Sequence, residues 1–398
     1  MLLPPDFSAE ARLLILCSRG SLSRADGPTI LQLISSGIDW DRLLALAEHH
    51  GLIPLLYRNL NDTCPAAVPK AVFVRLWGRY ETTARRNRLK ADELLSLLRL
   101  FEENFIPALP FKGPSLAVLL YGDVALREFG DLDILVRPRD VSRARALIEA
   151  LGYVSCFRLS PRWEARALHD GRHYSLAHVH PGRGIMVELH WATDCSEFAL
   201  PGIDDSWWER RPRADFLGTP VLALTPEELV FLLCMHGTRH HWVSLGWVAD
   251  FAQMVRANPA LDWQQVIGMA QRQGTLRILL LGFELARRLL EAPLSDNVSR
   301  RIASDPAVAF LAIRVIRRIG LTTAPPLTTR EKLAFELAWF RFWPPWLWYI
   351  LKFSLLPNMA DWSRWDLPPA LSLIYFPLHL GRLIGRYGLR PDKRYFAD

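Results

Sequence analysis

The chain has 398 residues, half of them apolar, 11% aromatic and 22% charged, which excludes a disordered or fibrous protein. The length suits two or three domains with at least one sizeable core. Its 48 basic side chains, 42 of them Arg, exceed the 41 acidic ones to give +7, too modest and too scattered a charge to indicate polyanion or nucleic-acid binding.

The first hundred residues read as helices. Asp39 stands before the run RLLALAEHHG as a cap and Gly51 ends it as a stop. A longer helix is predicted from Pro69 to about Asn104, with Leu76, Tyr80, Leu89, Leu95 and Leu98 as apolar repeats. Residues 1–105 are therefore expected to form a helical N-terminal lobe. From Ile106 the texture changes to short apolar runs bounded by Gly, Pro and Asp and separated by a helical pattern at Arg139–Leu151. Strands are predicted at His173–His180 and Ile185–Trp191, joined by the turn Pro181-Gly182-Arg183-Gly184. Residues 106–200 thus read as a small α/β core. A Pro- and Gly-punctuated segment from Pro201 to Pro220 leads to Thr225-Pro226-Glu227-Glu228, a helix start with Pro at the first helical position. Helical periodicity then runs on, so residues 201–398 are expected to be a helical C-terminal lobe. The fold class is α+β, a small mixed-sheet core flanked by two helical lobes.

Five cysteines, Cys17, Cys64, Cys156, Cys195 and Cys234, form no C-x-x-C pair, so neither a disulfide framework nor a Cys-type zinc site is indicated. The N-terminus has no basic n-region before its short apolar stretch, and a cytoplasmic location is the expectation. The most membrane-like stretch, Trp343 to Pro357, falls short of the roughly 20 residues needed to span a bilayer. A peripheral membrane or protein contact through this aromatic region, followed by a basic tail, stays open beside simple packing.

The densest chemistry lies between Phe111 and Pro138. Asp131 and Asp133 sit one residue apart in a predicted strand, so period-2 geometry puts both carboxylates on one face while Leu132 and Ile134 point into the core. Two carboxylates that close repel by ~4 kcal/mol at an effective dielectric near 20, and a bound divalent cation is the natural way to keep both ionised. Oxygen ligands point to Mg²⁺ or Mn²⁺. Glu188, the one acid inside the second strand of the hairpin, is the candidate for a third ligand. Upstream, Lys112-Gly113-Pro114-Ser115 closes a strand and opens a helix, which offers N–H groups and the helix dipole to an anion. Lys112 and Arg127 would add positive charge beside phosphates.

A glycine turn at a helix start, an apolar-Asp-apolar-Asp-apolar strand 18 residues later and a third acid on a further strand resemble the nucleotidyltransferase fold of the DNA polymerase beta superfamily. More closely, Lys112-Gly113, Tyr121-Gly122-Asp123, Leu126-Arg127, Gly130 to Val136 and Glu188-Leu189-His190-Trp191 are similar to an uncharacterised nucleotidyltransferase-like family of bacterial polysaccharide and peptide-modification gene clusters. Arg86-Asn87, Glu93, His236-Gly237, His240, Trp247 and Asp250 extend the similarity across most of residues 50–260. The resemblance implies magnesium-dependent transfer of a nucleotidyl group from a nucleoside triphosphate, with ATP the first candidate, to an unknown acceptor that is a small molecule, a sugar or a peptide. Asp131, Asp133 and Glu188 would be metal ligands, and Glu188 would activate the acceptor hydroxyl. The superfamily shows Gly-Ser at the phosphate turn where this chain has Lys112-Gly113-Pro114, with Ser115 able to take over the contact. That departure leaves two alternatives: a nucleotide-binding scaffold without catalysis, or another phosphoryl transfer on the same fold.

His236 and His240 lie four apart on one helical face, but Gly237, Thr238 and Arg239 between them lack the acid a zinc motif carries. Their readings are a cleft-facing role for Arg239 or His240 near phosphates, or packing. His190 shares the strand face of Glu188, which allows support of that acid or a solvated edge.

Overall fold

The computed structural model describes residues 7–320, 327–339 and 356–387. Five helices come first: α1 (Ala9–Cys17), α2 (Asp26–Ser35), α3 (Trp40–His49), α4 (Ile53–Thr63) and α5 (Lys70–Glu103). The Asp39 carboxylate accepts from the Arg42 N–H at 3.0 Å and so caps α3 as the sequence predicts. The core that follows interleaves β1 (Ala108–Pro110), α6 (Gly113–Tyr121), β2 (Asp131–Val136), α7 (Val141–Ala150), β3 (Val154–Ser155), α8 (Pro161–His169), β4 (Ser175–His180) and β5 (Ile185–His190).

The five strands form one sheet in the order β1-β2-β5-β4-β3. β2 and β5 run parallel, and every other neighbouring pair is antiparallel, so the sheet is mixed. In the parallel pair Asp131 stands opposite Met186 and Asp133 opposite Glu188. That register is what brings two acids from separate strands to one edge of the core. Leu132, Ile134 and Val136 point the other way and are fully buried, as strand alternation requires.

Beyond the sheet lie α9 (Asp205–Glu209) and a two-stranded hairpin, β6 (Arg213–Phe216) with β7 (Thr219–Leu222). The hairpin occupies the segment read from sequence as an irregular connection. Leu217 and Gly218 both adopt positive φ, the backbone that a tight two-residue hairpin turn needs. Helices α10 (Pro226–Arg239), α11 (Leu245–Ala257), α12 (Trp263–Arg272), α13 (Leu276–Leu290), α14 (Asp296–Ser304), α15 (Pro306–Ile319) and α16 (Thr329–Trp339) follow, then α17 (Met359–Trp365) and α18 (Tyr375–Tyr387). The predicted start of α10 is present with Pro226 in its first turn, and a capping box closes it, Thr225 and Glu228 being bonded reciprocally.

Two hydrophobic cores hold these parts together. One is shared by the N-terminal helices and α10–α15, with Leu13, Leu44 and Leu56 in the same cluster as Phe231, Phe251 and Phe283. The other encloses the sheet, takes Leu94 and Leu97 from α5, and reaches Trp362 and Tyr375 near the end of the described chain. No helix among the described residues is long and apolar enough to cross a membrane. Most of the aromatic stretch Trp343–Pro357, and the end of the basic tail, lie outside the described residues.

Candidate active site

The phosphate-turn candidate is built by close backbone packing. Gly113 opens α6 at φ +55°, and a Cβ there would meet the Asp131 carbonyl oxygen at 2.9 Å, so only glycine lets the turn rest against β2. Lys112 caps the helix from an extended backbone and turns its side chain onto the acids. Its Nζ lies 3.4 Å from Asp133 Oδ1. The Ser115 hydroxyl donates back to the Lys112 carbonyl at 2.8 Å.

Asp133, Glu188 and His190 converge. His190 is fully buried, and its Nε2 lies 3.1 Å from Asp133 Oδ1 and 3.2 Å from Glu188 Oε2. Tyr174 stacks on the imidazole and Phe111 meets it edge-on, which fixes the ring plane. The solvated-edge reading of His190 is thereby excluded, and the residue is a clamp between two carboxylates. Ligand atoms of the three residues all lie within 4.8 Å of one another, a spacing compatible with one metal ion. Asp131, one pleat along β2, stands outside that group.

The electrostatics separate the acids. Burial pushes Asp133 up, but the Lys112 charge and the His190 hydrogen bond outweigh it and hold the carboxyl well below its usual range. Glu188 is also lowered, because the His190 bond and charge overcome its burial. Asp131 goes the other way: burial, then the charges of Asp133 and Glu188, push it up to about 6. Burial disfavours the charged forms of Lys112 and His190, yet the surrounding carboxylates hold both pKa values raised. Lys112 and His190 both bond to Asp133, and Asp131 is left as the acid without a basic partner of its own. A divalent cation fits that deficit, and carboxylate oxygens suit Mg²⁺ or Mn²⁺.

The other predicted residues surround this cluster without entering it. Arg127 gives its Nε to Asp250 Oδ2 at 2.7 Å, and Asp250 also accepts from the Tyr121 hydroxyl at 2.8 Å. Arg239 Nη1 binds the Tyr174 hydroxyl at 2.6 Å and also pairs with Asp194. It thus supports the ring that stacks on His190. His240 packs against Trp247 and His236, and burial lowers its pKa to about 4, so it is neutral at pH 7. His236 is lowered further by burial and by Lys112, and it borders a small polar hollow with Lys112 and Asp194. Among the described residues neither His236 nor His240 belongs to a metal-ready group.

A family model described as an uncharacterised nucleotidyltransferase matches residues 36–291, more than half of the chain. The chain belongs to that family. The matched region starts just after α2 and ends just past α13, so it contains the whole acidic cluster and its surroundings. No curated protein and no solved structure matches the chain.

Within this nucleotidyltransferase frame, one supporting residue escaped the sequence reading. Lys90 on α5 donates to the Phe129 carbonyl at 3.1 Å and to that of Gly130, while Asn87, one turn earlier, donates to the carbonyls of Val124 and Arg127 at 2.7 and 2.8 Å. Together they pin the loop that delivers Asp131 to the sheet. The signal was present as a buried polar stripe, Asn87, Lys90 and Glu93, spaced by three along one helix face.

Proposed function

We propose that the protein is a divalent-cation-dependent nucleotidyltransferase that moves a nucleotidyl group from a nucleoside triphosphate, ATP first among candidates, to a small-molecule, sugar or peptide acceptor. The observation that carries this reading is the register of Asp133 opposite Glu188 on adjacent parallel strands, with Lys112 of the helix-opening turn against Asp133. Asp133 and Glu188, whose ligand atoms lie close enough for one ion, would hold the cation together with Asp131 from the same face of β2, while His190 keeps the first two in place. When bound, the cation neutralises charge on the phosphoryl oxygens and assists departure of pyrophosphate.

The protein's own groups supply the rest. Glu188 is more open than Asp133, at 28% side-chain exposure against 4%. It is kept ionised by His190, which suits it to accept the proton of an attacking hydroxyl. The acceptor oxygen forms a bond to the α-phosphorus, the bond to the pyrophosphate oxygen breaks, and the hydroxyl proton passes to Glu188. Lys112 and the first turn of α6 offer positive potential to the departing phosphates. His190 orients both Asp133 and Glu188 from one nitrogen, so its loss would disturb two acids together.

The test is the identity of the released phosphate. Purified protein with Mg²⁺ or Mn²⁺, each nucleoside triphosphate and a cell extract as acceptor pool should release pyrophosphate. Orthophosphate alone would assign a different phosphoryl transfer. Nucleotide binding without either product would assign a non-catalytic scaffold.

A further inference from the structure

A second hollow lies on the far side of the Arg127–Asp250 pair, where the α3–α4 turn, the loop after α6 and the start of α11 meet. It encloses about 360 Å³ and is lined by Glu48, Leu55, Arg127, Glu128, Ser244 and Trp247, among others. That volume is in the range of small-molecule sites. Its walls are tied together by direct bonds. Ser244 Oγ donates to the His50 carbonyl at 2.9 Å, the Leu245 N–H donates to His50 Nδ1 at 3.2 Å, and a Cβ on Gly246 would meet the His50 carbonyl at 2.6 Å. His50 is neutral at pH 7, since burial lowers its pKa to about 4. The hollow is therefore preformed rather than a gap between loose surfaces.

Its polar groups are unevenly satisfied. Arg127 spends its Nε on Asp250, but neither terminal nitrogen makes a hydrogen bond among the described residues, and Nη1 is fully buried. The Arg127–Asp250 pair is neutral as a unit, so it offers directional N–H donors without net positive charge. Glu128 is part-buried and has no hydrogen bond or ion pair among the described residues. Burial raises its pKa against the opposing charge of Arg86, and the Glu48 charge adds to the rise. Glu48 adds a second acid, already paired with Arg79 at 2.7 Å. A triphosphate would meet these two acids, so its place is on the Lys112 side. An ammonium group, by contrast, finds Glu128 with no hydrogen bond or ion pair among the described residues, and a hydrogen-bond acceptor on the same molecule finds Arg127 Nη2. Trp247 and Leu55 supply an apolar wall between the two ends.

We infer that this hollow binds a small molecule carrying a primary ammonium at one end and a hydroxyl or carboxylate at the other. Free amino acids and amino sugars share that chemistry. The binding is independent of the nucleotidyltransferase reading.

The experiment is calorimetric titration of the full chain, without nucleotide or metal, with the standard L-amino acids and with glucosamine. Each is paired with its N-acetyl counterpart, which keeps the shape and removes the charge. At least one amine is expected to bind saturably, its N-acetyl partner at least about ten-fold more weakly, and Glu128→Gln should lose a similar factor, as for one charge-assisted hydrogen bond. Because Glu128 has no partner in the described protein, the unliganded variant should melt at or above the wild-type temperature, which separates lost binding from lost fold. Saturation by an amino acid or by glucosamine identifies the source. Binding of N-acetyl and free forms alike, indifference to Glu128→Gln, or no saturable amine would overturn the assignment. Amine binding without nucleotidyl transfer would leave the site standing and remove the reaction.

Discussion

Asp131 and Asp133 stand one residue apart on β2 and are driven in opposite directions, because Lys112 and His190 bond to Asp133 and not to Asp131. The alternation of D-L-D-I made the shared face of the two acids legible in the sequence. Their inequality was not, since it depends on partners 21 and 57 residues away. Two outcomes follow at this scale. Asp131→Asn should lower nucleotidyl transfer by about 10²-fold or more, as expected for a ligand to a catalytic metal. A carboxyl raised to about 6 is protonated more readily in the folded than in the unfolded chain, so its contribution to metal-free stability declines as pH rises from about 4 to about 6. The variant should therefore melt at or above wild type at pH 7, where an ordinary structural aspartate would cost stability. The same acid must ionise to bind a cation, so Mn²⁺ affinity, measured by titration, should rise as pH is raised through about 6 and flatten above it.

At the scale of elements, caps and turns carried most of what the sequence made plain. Asp39 before α3, Thr225 with Glu228 at α10, and the Pro181–Gly184 turn between β4 and β5 each declare a boundary through their own chemistry. The β6–β7 hairpin was hidden because its turn places Leu217 at positive φ and its second strand contains Pro220, both against residue preference. α5 was predicted as a helix, but not as the buttress of the site. Lys90 holds the last carbonyls before Asp131, so Lys90→Met should leave two acceptors without their partner and cost about 1–3 kcal/mol in urea unfolding. It should also reduce turnover, because the loop that seats Asp131 loses its anchor. Turnover falling with no change in stability would contradict that account of Lys90.

Across the whole molecule, the sequence suggested three successive parts, whereas the packing ties distant segments to one another. α17 and α18 lie against the sheet side of the protein: Trp362 stacks on Trp163 of α8 at 5.0 Å, and the Met359 N–H donates to His173 Nε2 at 3.3 Å. That attachment was not legible, since aromatic residues at irregular spacing do not announce what they meet. It runs through Asp170, whose carboxyl burial would raise but whose bonds from His173 and Arg172 bring down to about 2. A depressed carboxyl stabilises the fold above its unfolded pKa and loses that contribution as pH falls from about 4 to about 2, an effect of about 2 kcal/mol. Asp170→Asn should flatten the acid limb of a stability curve measured by denaturant titration over that window. Trp362→Ala should cost about 3–5 kcal/mol by emptying the same junction.

The measurement that bears most directly on the central claim is transfer of label from nucleoside triphosphates marked at the α or the γ position, with wild type and Asp131→Asn side by side. The account predicts label from the α position on an acceptor, none from the γ position, and loss of that product in the folded variant. Transfer of γ label, or α transfer undiminished by Asp131→Asn, would contradict it.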